Sequence, residues 1–188
     1  MIAISEQHGF TLWSASANVV LGWARAEQGQ QEEGIRQVRE GLTVFRATGS
    51  EYARVQSLNE LARICMRANR LDEALTILIE SQAAVDRDHD YFYQAEIYRL
   101  RGELLLIQSP TNALDALRYF ERAVAISRKQ STKSFELRAI TSLARLLRDT
   151  GSCDEARTML SEIYNWFTEG FDTADLKDAK ALLDELAG

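Results

Sequence analysis

The chain has 188 residues, 46% of them hydrophobic and 27% charged, with one proline and ten glycines. So few turn-forming residues exclude a β-rich fold and leave an all-α chain of long helices joined by short corners. Twenty-two Lys and Arg against 28 Asp and Glu give a formal charge of −6, the wrong sign for a protein that coats a nucleic-acid backbone.

The opening MIAISEQHGF lacks the basic and then apolar layout of a signal peptide. Apolar residues then recur at i, i+3, i+4 and i+7 through almost the whole sequence, with breaks at Gly29, around Gly49, near Asn69, at Asp88 to Asp90, at Ser109-Pro110, near Ser131 and at Gly151. Those breaks predict helices at 8–28, 31–48, 51–68, 71–87, 91–108, 112–130, 133–149 and 153–168. A ninth is expected at 173–187, with Asp172 placed to cap it, an apolar stripe of Leu176, Ala179, Leu182, Leu183 and Leu186, and Asp175, Asp178, Asp184 and Glu185 on its outer side. The longest apolar run, Val19 to Ala24, falls far short of the roughly 20 residues a membrane span needs. A cytoplasmic protein with no membrane partner is the expectation. Cys65 and Cys153 fall inside predicted helices and far apart, as small core residues do.

The helices repeat in pairs. A small residue stands in the first helix of each pair at Gly22, Ala62, Gly102 and Ala144, separated by 40, 40 and 42 residues, and in the second at Gly34, Ala74, Ala116 and Ala156, separated by 40, 42 and 40. Four positions later come Val38, Leu78, Phe120 and Leu160. Small residues are needed where two helices cross at 8–10 Å, and larger ones fill the core between pairs.

This pattern resembles tetratricopeptide repeats (TPR). Leu21-Gly22, Leu61-Ala62 and Leu143-Ala144 match the family's first helix, and Ala116, Phe120 and Ala123 its second, with Ala74-Leu78-Ser81 and Gly34-Val38-Gly41 following the same sizes. The period is near 40 rather than 34, and the usual proline after the second helix is absent. The stretches 95–106, 133–149 and 164–186 are similar to the C-terminal repeats of bacterial multidomain regulators in which such repeats follow a nucleotide cyclase or an ATP-binding signalling module. The resemblance implies a right-handed superhelix of four TPR-like hairpins, 8–48, 51–87, 91–130 and 133–168, with a capping helix at 173–187, forming one domain over 1–188.

Sites for chemistry are sparse. No glycine cluster precedes a helix to cradle phosphate, and His8 and His89 stand alone, so neither a catalytic triad nor a metal site assembles and no cofactor is expected. The acidic corner Asp86-Arg87-Asp88-His89-Asp90 suits a weak cation site or, on capping preference, a solvated loop. Helical spacing assigns Trp13 and Trp166 to the core.

Stacked hairpins bind along the concave side lined by their first helices. In this register that side carries Ser16, Val19 and Trp23; Gln56, Asn59, Arg63 and Arg67; Glu96, Arg99 and Glu103; and Arg138, Thr141, Arg145 and Arg148. Six arginines on an acidic protein fit a carboxylate-bearing or acidic peptide partner, and equally an internal network in which Arg and Glu pair across neighbouring helices. The functional expectation is a non-catalytic protein-interaction or regulatory module. The alternative is an effector sensor that binds a small molecule and regulates an attached cyclase or ATPase domain. Phe10, Leu12, Trp13, Val20 and Leu21 leave the N-terminal edge apolar, which predicts self-association there or docking of upstream repeats in a longer parent.

Overall fold

The chain starts each of its inner turns the same way. In the computed structural model, which describes residues 2–48, 53–89 and 91–187, Gly29, Asn69 and Gly151 each take a left-handed φ, at +88°, +57° and +87°. The next residue's N–H then reaches back five positions, from Gln30 to Arg25, Arg70 to Cys65 and Ser152 to Leu147, at 2.8–3.0 Å. One helix end is satisfied and the next helix starts at once. Ser109-Pro110 replaces this turn in the third pair with a 3₁₀ segment, Pro110–Asn112.

The described residues form ten α-helices and no strand: α1 Ile2–Gln7, α2 Thr11–Glu27, α3 Gln31–Ala47, α4 Arg54–Arg67, α5 Leu71–Asp88, α6 Gln94–Gln108, α7 Ala113–Gln130, α8 Lys133–Asp149, α9 Cys153–Tyr164 and α10 Ala174–Ala187. The all-α class and the pairing of helices follow the sequence. Several boundaries differ from expectation: α6 begins at Gln94 rather than 91, and α9 ends at Tyr164 rather than 168. The helix expected from residue 8 begins at Thr11, after Gly9 with its φ of +69°, and a short unexpected helix, α1, precedes that turn. Thr173, not Asp172, immediately precedes α10. The expected break around Gly49, the expected helix start at 51 and the corner residue Asp90 lie outside the described residues.

The contacts divide the chain into two compact units, residues 1–93 and 94–188. In the first, α2 pairs with α3 and α4 with α5, and α4 also packs on both α2 and α3. Gly22 and Gly34 mark the crossing of α2 and α3: a Cβ on Gly22 would sit 2.8 Å from the Gly34 carbonyl oxygen, and one on Gly34 would sit 2.6 Å from that of Gly22. Only hydrogen fits on either side of that crossing. Ile35, Val38, Phe45, Leu58 and Leu78 fill the unit's core.

In the second unit α6 pairs with α7 and α8 with α9, α8 packs on α6 and α7, and α10 lies against both α8 and α9. Here Gly102 makes room for Phe120, whose ring a Cβ would meet at 2.5 Å. Phe120, Leu137, Ile140 and Leu160 are fully buried, and Leu176, Ala179, Leu182 and Leu186 of α10 join the same core.

Within each unit the backbones of the first helices approach one another while those of the second helices stay farther apart. Each unit therefore has a closed face, formed by first helices, and a face opened by a cleft between second helices.

Candidate functional site

The residues expected to line the groove separate into rows one helical turn apart. The inner row is Val19, Asn59, Arg99 and Thr141, and all four are buried, at 8%, 3%, 8% and 4% exposure. Val19 and Asn59 meet the second helix of their own hairpin. A Cβ on Gly41 would press on Val19 at 2.8 Å, and the Ser81 hydroxyl donates to Asn59 Oδ1 at 2.8 Å. Asn59 and Arg99, expected on an accessible surface, are thus interior groups. The outer row, reached by the same separations of 40, 40 and 42, is Trp23, Arg63, Glu103 and Arg145. Glu103, not Arg99, stands at the level of Arg63 and Arg145.

Along α2 of the first unit, Trp13, Val20 and Trp23 recur at helical spacing and are 59%, 61% and 41% exposed. Trp13 is therefore a surface residue and not the core residue expected from its spacing. Periodicity identifies which residues share a helix face, but it does not say whether a neighbour covers that face. One turn beyond Trp23 on α2, Glu27 accepts from Arg67 of α4 at 2.5 Å, and Arg63 lies 3.3 Å from Glu60 and 3.9 Å from the same Glu27.

On the second unit's closed face the charges are paired. Arg99 donates through Nε to Glu96 at 2.9 Å and through a second nitrogen at 2.5 Å, and also bonds Glu103. Ser142 donates to Glu103 at 2.9 Å and completes the set. Burial, the largest influence on Arg99, works against its charge, but Glu96 and Glu103 outweigh it and raise its pKa above the ordinary guanidinium range. Arg138 bonds Asp175 at 2.7 Å, Arg145 bonds Asp178, and Arg148 reaches Glu185 at 2.5 Å and its neighbour Asp149 at 2.9 Å. Asp175, Asp178 and Glu185, expected on the outer side of the capping helix, instead bridge α10 to α8.

Three further placements correct the sequence reading. Trp166 is 57% exposed, because it follows the end of α9 and lies outside that helix's apolar stripe. Its ring stacks edge-on with Phe167 at 5.1 Å and receives the Lys133 ammonium at 5.7 Å. Cys153 is exposed at the first position of α9, whereas Cys65 is buried. In the acidic corner Arg87 grips Asp88 with two bonds of 2.7 Å, which holds that carboxyl below its ordinary value. Among the described residues no group of three or more His, Cys, Asp or Glu side chains is arranged to hold a metal ion.

Sequence reasoning did not identify Glu136 at the start of α8. It is 3% exposed and accepts from Arg128 at 2.8 Å and Lys133 at 2.7 Å. Burial works to raise its pKa, but these two cations outweigh it and hold the carboxyl below 4.5. The i, i+3 spacing of Lys133 and Glu136 was the available signal.

Similarity to solved structures fits this geometry. A protein of Podosopora anserina termed a kinesin light chain, with nearly identical TPR-like repeats, superposes with a TM-score of 0.63 at 18% identity over 91% of this chain and 84% of that one, and a point variant of it gives 0.64. The fold is a tetratricopeptide-like helical repeat. A signal-transduction ATPase with numerous domains and a tetratricopeptide-repeat sensor, from Pyrococcus horikoshii, matches with a TM-score of 0.68 at 15% identity. That match covers 94% of this chain but 27% of the ATPase, so this chain corresponds to about a quarter of that protein. No protein-family profile matches the sequence, and no curated protein matches it. No helix among the described residues is long and apolar enough to cross a membrane.

Proposed function

We propose that this TPR-like chain is a non-catalytic protein-interaction module, one domain over 1–188 acting in the cytoplasm, that takes a partner segment on its first-helix face. The observation that carries this reading is the row Trp13, Val20 and Trp23 on α2, three large apolar side chains held in solvent, the last of them one turn before Glu27, to which Arg67 of α4 is paired. Exposed apolar rows rimmed by charge mark interaction surfaces, and tryptophan and arginine are the residue types that carry most interface energy. The partner segment would place apolar side chains on α2 and a carboxylate toward Arg63 and Arg67. Within the second unit by itself, Arg145 and Arg148 would be the corresponding arginines, with Arg138, Glu96 and Glu103 setting the charge pattern on its first helices. Arg99 contributes by holding Glu96 and Glu103 in place.

A second reading is favoured by the ATPase whose repeats are named as a sensor. Under it, the module belongs to a bacterial signalling protein and binds a small effector, passing the event to an attached cyclase or ATPase domain. The two readings separate in one experiment. The chain is used as bait, its bound proteins are identified by mass spectrometry, and Trp13→Ser and Trp23→Ser variants are compared with it alongside a thermal-shift screen of metabolites and nucleotides. The interaction reading requires protein partners that both variants lose at unchanged melting temperature. Retention of every partner by the variants would end it, and a stabilising metabolite would favour the sensor.

A further inference from the structure

The repeat places equivalent clefts on the open faces of the two units. A separation of 82 residues carries Ile35 of α3 onto Leu117 of α7, Arg39 onto Glu121 and Glu73 of α5 onto Glu155 of α9. In the first unit a cleft of about 540 Å³ runs along α3 to Arg70, and in the second one of about 300 Å³ lies among α7, α8 and α9; they share the repeat positions Ile35/Leu117, Arg39/Glu121 and Thr43/Ala125. Their chemistry differs. In the first unit, ion pairs lace α3 to the start of α5 and beyond: Arg39 with Glu73, Glu32 with Arg70 at 2.9 Å, and Arg46 with Glu80 at 2.5 Å.

In the second unit the equivalent lacing is missing. Glu121 and Glu155, at the positions of Arg39 and Glu73, line one cleft, and neither makes an ion pair among the described residues. Arg128, at the position of Arg46, turns to Glu136 at 2.8 Å, leaving Glu162 where Glu80 stood. The rest of the lining is apolar, built from Leu117, Val124, Leu143, Leu147 and Met159, except for Arg128, whose charge is engaged by Glu136. Substituting Glu for Arg at one side of the cleft turns an attraction into a repulsion. A cation entering between the two carboxylates would reverse that.

We propose that the α7–α9 cleft is a second docking site, separate from the first-helix face, that accepts a segment of another protein carrying an Arg or Lys next to leucine-type side chains. The basic group takes the place that Arg39 fills in the first unit, and the apolar neighbour packs on Leu143, Leu147 and Met159. A volume near 300 Å³ lies at the small end of ligand pockets, so the site is sized for one or two side chains rather than a cofactor. Complementary charge at the cleft rim fixes which segment is admitted, and the apolar floor supplies the contact area.

The test is a titration of the full chain by methyl NMR with a blocked seven-residue peptide that has one arginine between two leucines. Two control peptides replace the arginine by glutamate or both leucines by serine. Shifts are expected at the methyls of Leu143, Leu147 and Met159, with affinity for each control lower by about tenfold or more. Glu121→Arg rebuilds the ion pair seen in the first unit and should abolish the shifts, with a melting temperature no lower than wild type. Glu121→Gln serves if that variant fails to fold, and should weaken the peptide. Absence of shifts at millimolar peptide, equal binding of either control, or undiminished binding by the Glu121 variants would overturn the proposal. None of these results depends on Trp13 or Trp23, so the first-helix-face reading stands or falls by its own variants.

Discussion

Arg99 shows how one residue can look like a ligand-binding group in sequence and serve the core in structure. Its guanidinium is 8% exposed and joins Glu96, Glu103 and Ser142. Removing one partner of a buried ion pair leaves the other desolvated and uncompensated, so Arg99→Gln should destabilise by about 3–5 kcal/mol. Arg63→Gln, at a half-exposed pair, should change stability by about 0–1 kcal/mol. Denaturant titration of both variants checks this, and equal midpoints would contradict the burial of Arg99. Glu136 gives a pH signature. Its pKa is depressed in the folded chain below 4.5, so its stabilising contribution is fully present above the unfolded value and is lost as pH falls through the folded one. The gap in melting temperature between wild type and Glu136→Gln should accordingly be constant near neutrality and shrink as pH drops below about 4.5. A gap that widens on acidification would refute the pairing with Arg128 and Lys133.

At the scale of helices, the positions where two cross were legible because only small residues fit there. Gly22, Gly34, Ala74, Ala116 and Ala156 are all buried as their spacing implies. Ala74→Leu and Ala116→Leu should each cost about 1–3 kcal/mol through overpacking, and Glu32→Leu far less; equal melting temperatures would show the crossings to be misassigned. What periodicity could not supply was the neighbour of each face. It marked Trp13 as core although no helix covers it, placed Asn59 and Arg99 one turn too far out, and left Asp175 and Asp178 facing solvent when α8 offers them arginines. The docking of α10 separates the two kinds of contact. Its ion pairs are half-exposed, so Asp175→Asn with Asp178→Asn should cost at most about 2 kcal/mol and less in high salt. Leu182→Ala, from the buried stripe, should cost about 2–5 kcal/mol regardless of salt.

At the scale of the molecule, repeat proteins are stabilised mainly by contacts between neighbouring elements, and each of the two units has its own core. The second unit buries the apolar stripe of α10, whereas the first leaves Phe10, Leu12, Trp13 and Val20 between 41% and 61% exposed. The repeat fold itself was legible in the spacing of small residues. The use of each surface was not, because it depends on which charges are already paired internally. If the α2 row serves self-association instead of a different partner, sedimentation should show a concentration-dependent dimer that Trp13→Ser abolishes; a monomer at all concentrations would leave the row for another protein. The most direct test of the binding face is hydroxyl-radical footprinting of the chain with and without its captured partner. Strong protection of Trp13 and Trp23 in the complex is the predicted result, and unchanged oxidation of both tryptophans would contradict the assignment of the first-helix face as the partner site.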